Sequence, residues 1–149
     1  MNLKPNNDIL LVGKYKSFHL GQSAFLREVL ANDSGSAPKV NLEEEYKIGK
    51  FILKLNKKKL LNGVHDISDG GIALAAAEMA LNNRLGITLN NNKLEWFFSE
   101  DQARYLVSCN EKNTDEIFNN GKKDKIEIKE IGKVKGKYLK LNDKKISIK

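Results

Sequence analysis

A single cysteine, Cys109, stands among 149 residues, which excludes an internal disulfide framework and a cysteine-rich zinc site. It closes a Tyr-Leu-Val-Ser run, a setting for a packed thiol rather than a nucleophile. Arginine is nearly as scarce: only Arg27, Arg84 and Arg104 occur among 26 basic residues, beside one tryptophan. Base recognition leans on arginine forks and exposed aromatics, so no nucleic-acid partner is expected despite a formal charge of +7. The lysines lie in scattered short groups, as on a solvated surface. No apolar run approaches the length that crosses a bilayer. The opening Met1 to Asn7 lacks the charged-then-apolar layout of a secretory leader. No membrane partner and a cytoplasmic setting are the expectations.

What is present suits one domain. Apolar residues make up 40% of the chain, too many for a disordered segment and enough for one packed core. Residues 8–13 (DILLVG) read as a buried strand stopped by glycine. A polar loop with Lys14, Lys16, Ser17 and His19 follows, then a short helix over 24–30. Asn41 with Glu44 three residues on resembles a capping box. It opens a helix reaching about Leu60, with the stripe Leu42, Tyr46, Gly49, Ile52, Leu53 and Leu60. A strand over 63–66 and an alanine-rich helix over 72–81 come next. Strands are expected over 86–89, 94–98 and 104–109, a weak helix over 114–119, and short strands over 126–131, 138–141 and 146–148. This order predicts a single layered α/β (α+β) domain, a mixed sheet with its helices on one face.

The most informative stretch is Val64-His65-Asp66-Ile67-Ser68-Asp69-Gly70-Gly71-Ile72-Ala73-Leu74. A strand delivers His65 and Asp66 to its end, and the chain turns through two glycines into a helix. Free N–H groups at such a helix start favour phosphate, and glycine lets a ligand approach the backbone. A carboxylate beside a polyphosphate needs a cation, and Mg²⁺ takes one or two carboxylates plus phosphate oxygens. Asp66 therefore reads as a metal ligand and Ser68 as a hydroxyl donor to phosphate. Asp69 reads equally as a helix N-cap or as part of the ligand shell. His65 reads as a hydrogen-bonded structural residue, with no nucleophile near it in sequence.

The run His65 to Ala75, followed by Ala77-Glu78-Met79, resembles the second-half signature of phosphoribosylformylglycinamidine synthase. It is less similar to aminoimidazole ribonucleotide synthetase and other members of that ATP-binding superfamily. Further blocks resemble the synthase in the same order: Ile9 to Gly13 with Leu20-Gly21-Gln22-Ser23, Ala37-Pro38 with Asn41-Leu42-Glu43, Phe98-Ser99-Glu100-Asp101-Gln102-Ala103-Arg104, and Ile131-Gly132-Lys133-Val134. The resemblance covers nearly the whole chain. It implies the final B domain of an enzyme built from two A–B pairs, with an aminoimidazole ribonucleotide synthetase-like C-terminal-domain fold. The family converts formylglycinamide ribonucleotide, ATP and glutamine into the formylglycinamidine, ADP, phosphate and glutamate.

The resemblance also implies cofactors and partners. ATP or ADP with Mg²⁺ would bind near Asp66 (metal), with Ser68, Gly70, Gly71, Gly21 and Ser23 on the nucleotide. Glu100, Gln102 and Arg104 form a possible ligand turn. The first-half counterpart of Glu100 and Gln102 binds substrate, which this copy need not do. The partners would be the remaining A and B domains, a glutaminase and a small accessory subunit. Nucleotide-binding lysines, catalytic histidines and much of the metal shell belong to A domains with no counterpart here, so no catalytic residue is assigned and the chain alone is expected to be inactive. Gln22, Ser99 and Ala103 depart from positions where the family has glycine, and a side chain at 103 is expected to narrow the approach to the turn.

Plainer readings stand beside these. Glu100 and Arg104 could pair across a β-hairpin turn, and Gly21 and Ser23 could serve only as a helix cap. Trp96, Phe97 and Phe98 read as core. A fold fragment or scaffold without catalysis, and a basic RNA-binding protein, are the alternative functions.

Overall fold

Strand β1 (Asp8–Val12) is buried along its whole length, which requires cover on both faces and explains its unbroken apolar run. In the computed structural model, which describes residues 1–16 and 18–148, β1 pairs antiparallel with β4 (Tyr105–Cys109) and β5 (Ile128–Val134). Ser17 of the polar loop lies outside the described residues. The other strands are β2 (Leu61–Asp66), β3 (Ile87–Leu89), β6 (Tyr138–Leu141) and β7 (Lys144–Ser147). Their order is β2-β4-β1-β5-β3-β6-β7. Only the β3–β6 pairing is parallel among the described ladders, so the sheet is mixed, as expected.

The helices are α1 (Leu42–Lys57), α2 (Gly71–Asn83), α3 (Leu94–Phe98) and α4 (Glu111–Asp124). They do not share a face, which corrects the single-sided expectation. Because strand side chains alternate, Ile9 and Leu11 join the core with α2 and with Trp96 and Phe97 of α3. Leu10 and Val12 join a second core with Ile48, Phe51, Ile52 and Leu55 of α1 and Ile117 of α4. Salt bridges Lys54–Asp124 (2.7 Å) and Lys58–Glu116 (3.3 Å) link α1 to α4. The buried run of β1 already implied two covered faces.

Three local expectations also change. Residues 94–98 form a helical turn, not a strand. Trp96 and Phe97 are both buried against α2, whereas a strand would send such neighbours to opposite faces. The stripe of α1 is rotated from the expected one: Ile48, Phe51, Ile52 and Leu55 are buried, while Leu42, Tyr46 and Leu53 are exposed. Two apolar stripes run along this helix, and the one carrying Phe51 faces the sheet. Helix α4 is longer than expected because its buried face includes Thr114, Asn120 and Gly121, which carry little hydrophobic signal. The expected helix at 24–30 is a five-residue π-helical turn, Phe25–Val29.

Candidate functional site

Three sequence blocks meet at one carboxylate. Strand β2 ends at Asp66, and the loop Ile67–Gly70 leads into α2 at Gly71. The turn after α3, Ser99 to Arg104, enters β4 beside it, and Ile67 N–H donates to the Arg104 carbonyl (3.0 Å). The Gly21–Ala24 segment closes over both. Glu100 Oε1 accepts from Gly70 N–H (2.7 Å) and from Ala24 N–H (2.8 Å), and Glu100 is buried.

This arrangement revises the expected phosphate cradle. The Gly70 amide is taken by Glu100, and the Gly71 amide donates to the Ser68 carbonyl (3.0 Å). Neither is a free donor. The anion that the Gly70 amide receives is the chain's own carboxylate. The glycine pair has a packing reason instead. Gly70 and Gly71 have φ of +73° and +64°, and a Cβ on Gly71 would lie 2.7 Å from the carbonyl oxygens of both Phe97 and Ser99. Only glycine lets α2 start so close to the end of α3.

Ser23 is likewise inside. It is fully buried, and its hydroxyl accepts from Leu26 N–H (3.2 Å) at the start of the π-helical turn. Ser23 therefore acts as a cap. Gly21 lies against the loop before α1, where a Cβ would meet the Ser36 carbonyl at 2.4 Å. Around this segment, His19 N–H donates to Asp101 Oδ2 (3.3 Å) and the His19 ring contacts the Ser36 carbonyl (2.7 Å). Lys14 pairs with Glu44 of α1 (2.9 Å).

Arg104 does not pair with Glu100 across a hairpin. Its Nη2 donates to the Ser99 carbonyl (2.7 Å) and hydroxyl (3.2 Å), and its Nε donates to the Asp101 carbonyl (3.1 Å). The guanidinium thus brackets Glu100 through the residues on either side. Its Nη1 is buried without a hydrogen-bond partner among the described residues. Burial lowers the Arg104 pKa to about 10, with nearby Asp101 opposing the shift, and the group stays charged at neutral pH. Of the expected ligand turn, only Gln102 is exposed. It borders an open cavity of about 600 Å³ lined also by Asp101, Ala103, Lys14, Asn41 and Glu44.

The departures from family glycines have a backbone meaning. Gln22 and Ala103 have φ of +59° and +58°, the left-handed region that glycine occupies at least cost. Ala103 packs in the core beside Val12 and α1 while also bordering the cavity at Gln102. Its N–H donates to Glu45 Oε1.

What remains exposed is the tip of the β2–α2 loop: Asp66, Ser68 and Asp69. His65 faces acceptors at both ring nitrogens, the Asp66 carbonyl (2.6 Å) and Glu78 Oε2 (2.7 Å), so neither nitrogen is open to a metal or substrate. No group of three or more metal-ligating side chains occurs among the described residues. With Asp66 as the one exposed carboxylate at the strand end, the described residues do not fit an all-protein cation cage; they fit only a cation that would take most of its oxygens from phosphate and water.

The sequence missed a second buried polar group. Asp8 Oδ2 accepts from the Thr114 hydroxyl (2.6 Å), and Asp8 Oδ1 meets Lys133 Nζ at 2.9 Å. The Cys109 sulfur lies 3.4 Å from the same hydroxyl, and burial raises its pKa. An aspartate opening an apolar run was the available signal.

Compared with known families, residues 4–144 match the one described as AIR synthase related protein, C-terminal domain. The chain belongs to this family. Among similar curated proteins, the phosphoribosylformylglycinamidine synthase subunit PurL of Zymomonas mobilis is 38% identical over 146 residues, covering 95% of this chain and 20% of that protein. The subunit PurL of Cereibacter sphaeroides is 49% identical over 102 residues, or 68% of this chain and 14% of that one. The chain spans about a fifth of the length of the curated relatives it matches first. Among solved structures, Thermotoga maritima PurL complexed with FGAR aligns with a TM-score of 0.78 at 17% identity, covering 97% of this chain and 27% of that one. The same protein complexed with ATP gives 0.76 at 15%, with 97% and 25% covered. At these identities the likeness carries the fold. The described helices include none long and apolar enough to cross a membrane.

Proposed function

We propose that this chain is the C-terminal domain of a phosphoribosylformylglycinamidine synthase, acting in the cytoplasm within an ATP-dependent carbon–nitrogen ligase of purine biosynthesis. The observation that carries the reading is the match of 95% of this chain to a fifth of a PurL subunit, 38% identical over 146 residues. In this role the exposed tip of the β2–α2 loop meets a Mg-nucleotide. Asp66 lends a carboxylate to the cation and the Ser68 hydroxyl donates to a phosphate oxygen. When bound, Mg²⁺ neutralises phosphate charge. Gly70, Gly71, Gly21 and Ser23 support the loops from behind, and Glu100 and Arg104 hold the turn that packs beneath them. The remaining A and B domains complete the enzyme, the A domains supplying the nucleotide-binding lysines and catalytic histidines, and a glutaminase with a small accessory subunit supplies ammonia.

The chain alone makes no formylglycinamidine ribonucleotide from ATP, substrate and ammonia, because half a site cannot position the reactants. The test is complementation. The Zymomonas mobilis PurL subunit is truncated of the segment that matches this chain, and the 149-residue chain is added in trans. Restored turnover supports the assignment. Turnover by the pure chain, or a stable complex that stays inactive, overturns it.

A further inference from the structure

We infer that Glu100 is a positioning residue that latches the Gly21–Leu26 segment to the β2–α2 loop, so that the two move as one unit. One oxygen, Oε1, accepts from Ala24 N–H at 2.8 Å and from Gly70 N–H at 2.7 Å. The donors lie far apart in sequence and belong to elements with no ladder between them. Charged acceptors make the stronger class of hydrogen bond, and a buried acceptor is shielded from competing water.

The latch is itself held. Arg104 grips the carbonyls of Ser99 and Asp101, the residues flanking Glu100, which fixes the direction in which the carboxylate projects. Phe25 stacks on Phe98 with ring centroids 4.5 Å apart, closing the same joint from its apolar side. The Ser68 carbonyl, through Gly71 N–H (3.0 Å), continues the chain of contacts to the exposed tip. A ligand that orders the tip therefore also orders the Gly21–Leu26 segment. This consequence rests on the nucleotide reading above, whereas the latch does not.

The test compares two substitutions of similar volume by amide hydrogen exchange on the 15N-labelled chain, without nucleotide. Glu100→Gln keeps an acceptor oxygen in place, and Glu100→Met fills the space with none. The latch predicts that Met speeds exchange at Ala24 and Gly70 together by about tenfold or more, while Gln largely preserves their protection. Unchanged protection of both amides in Glu100→Met overturns the latch, as does release of one amide without the other. Should Glu100→Met fail to fold, Glu100→Gln decides the matter by itself, because it replaces a charged acceptor with a weaker neutral one and the amide proton resonances of Ala24 and Gly70 then move upfield together. Stationary resonances of both amides contradict the latch. Because no nucleotide is present, failure here is distinct from failure of the ligase assignment.

Discussion

The Ser99–Arg104 turn and the Asp66–Asp69 tip lie on adjoining segments, carry the same kinds of polar residue, and are opposite in character. In the turn, Glu100 and Arg104 are buried, and their partners come from the chain itself. At the tip, the side chains of Asp66, Ser68 and Asp69 face solvent. A buried carboxylate already answered by two N–H donors has little left for a ligand, whereas an exposed one beside a helix start has. The lesson is that a motif can divide its labour: some residues build the support and leave others exposed and free for a partner.

Substitutions can break that contrast, beginning with the strongest. Gly71→Ala is expected to destabilise the chain by more than about 3 kcal/mol, since its Cβ would press on two carbonyl oxygens at an unfavourable φ. Thermal melting should show a large drop or loss of folding. A mild effect would mean that α2 and α3 are not in close contact. Arg104→Met comes next, at about 2–3 kcal/mol, because it removes the charged donors that bind the Ser99 and Asp101 carbonyls. Denaturant titration reads this directly, and a neutral result would show the bracket to be dispensable.

By contrast, Asp66→Asn and Ser68→Ala should each change stability by no more than about 0.5 kcal/mol, as for exposed sites. The ion pair of the Asp66 carboxylate among the described residues is a long, solvent-facing approach to His65 Nδ1 (3.9 Å), a class worth little. An early melt in either would move that residue to the supporting class. The smallest effect concerns Tyr105, which lies opposite Asp66 in the β2–β4 ladder. Burial first, then Glu45 and Asp66, raise its pKa above the usual value of 10. The fold therefore favours the neutral phenol, and this contribution is present below pH 10 and fades as pH rises through the folded pKa. Asp66→Asn removes one raising charge, so the ultraviolet titration of Tyr105 should shift slightly downward. An upward shift would break the link between tip and strand.

Much of this was legible from the residues. The unbroken Ile9–Val12 run located the central strand, Asn41 capped α1 as its spacing suggested, and the block order carried the family. The helix layer is two-sided because β1 is apolar on both faces and each face needs its own cover. The buried stripe of α1 was illegible because the helix offers two at helical spacing, and only the packed sheet selects between them. Residues 94–98 looked strand-like because three adjacent aromatics carry no period. The role of Glu100 was illegible, since its donors, Ala24 and Gly70, lie at separations of 76 and 30 residues. Nothing local marks a carboxylate as already occupied. Gln22 and Ala103, conspicuous as departures from glycine, turned out to hold the positive φ that glycine would have eased.

The central claim is that the exposed tip meets Mg-nucleotide while the buried turn only supports it. Calorimetric titration of Mg-ADP into this chain reassembled with the remaining synthase domains tests it most directly. The account predicts that Asp66→Asn weakens binding about tenfold or more, equivalent to roughly 1.4 kcal/mol, with an unchanged melting temperature. Normal Mg-ADP affinity together with early melting would contradict it and make Asp66 part of the scaffold.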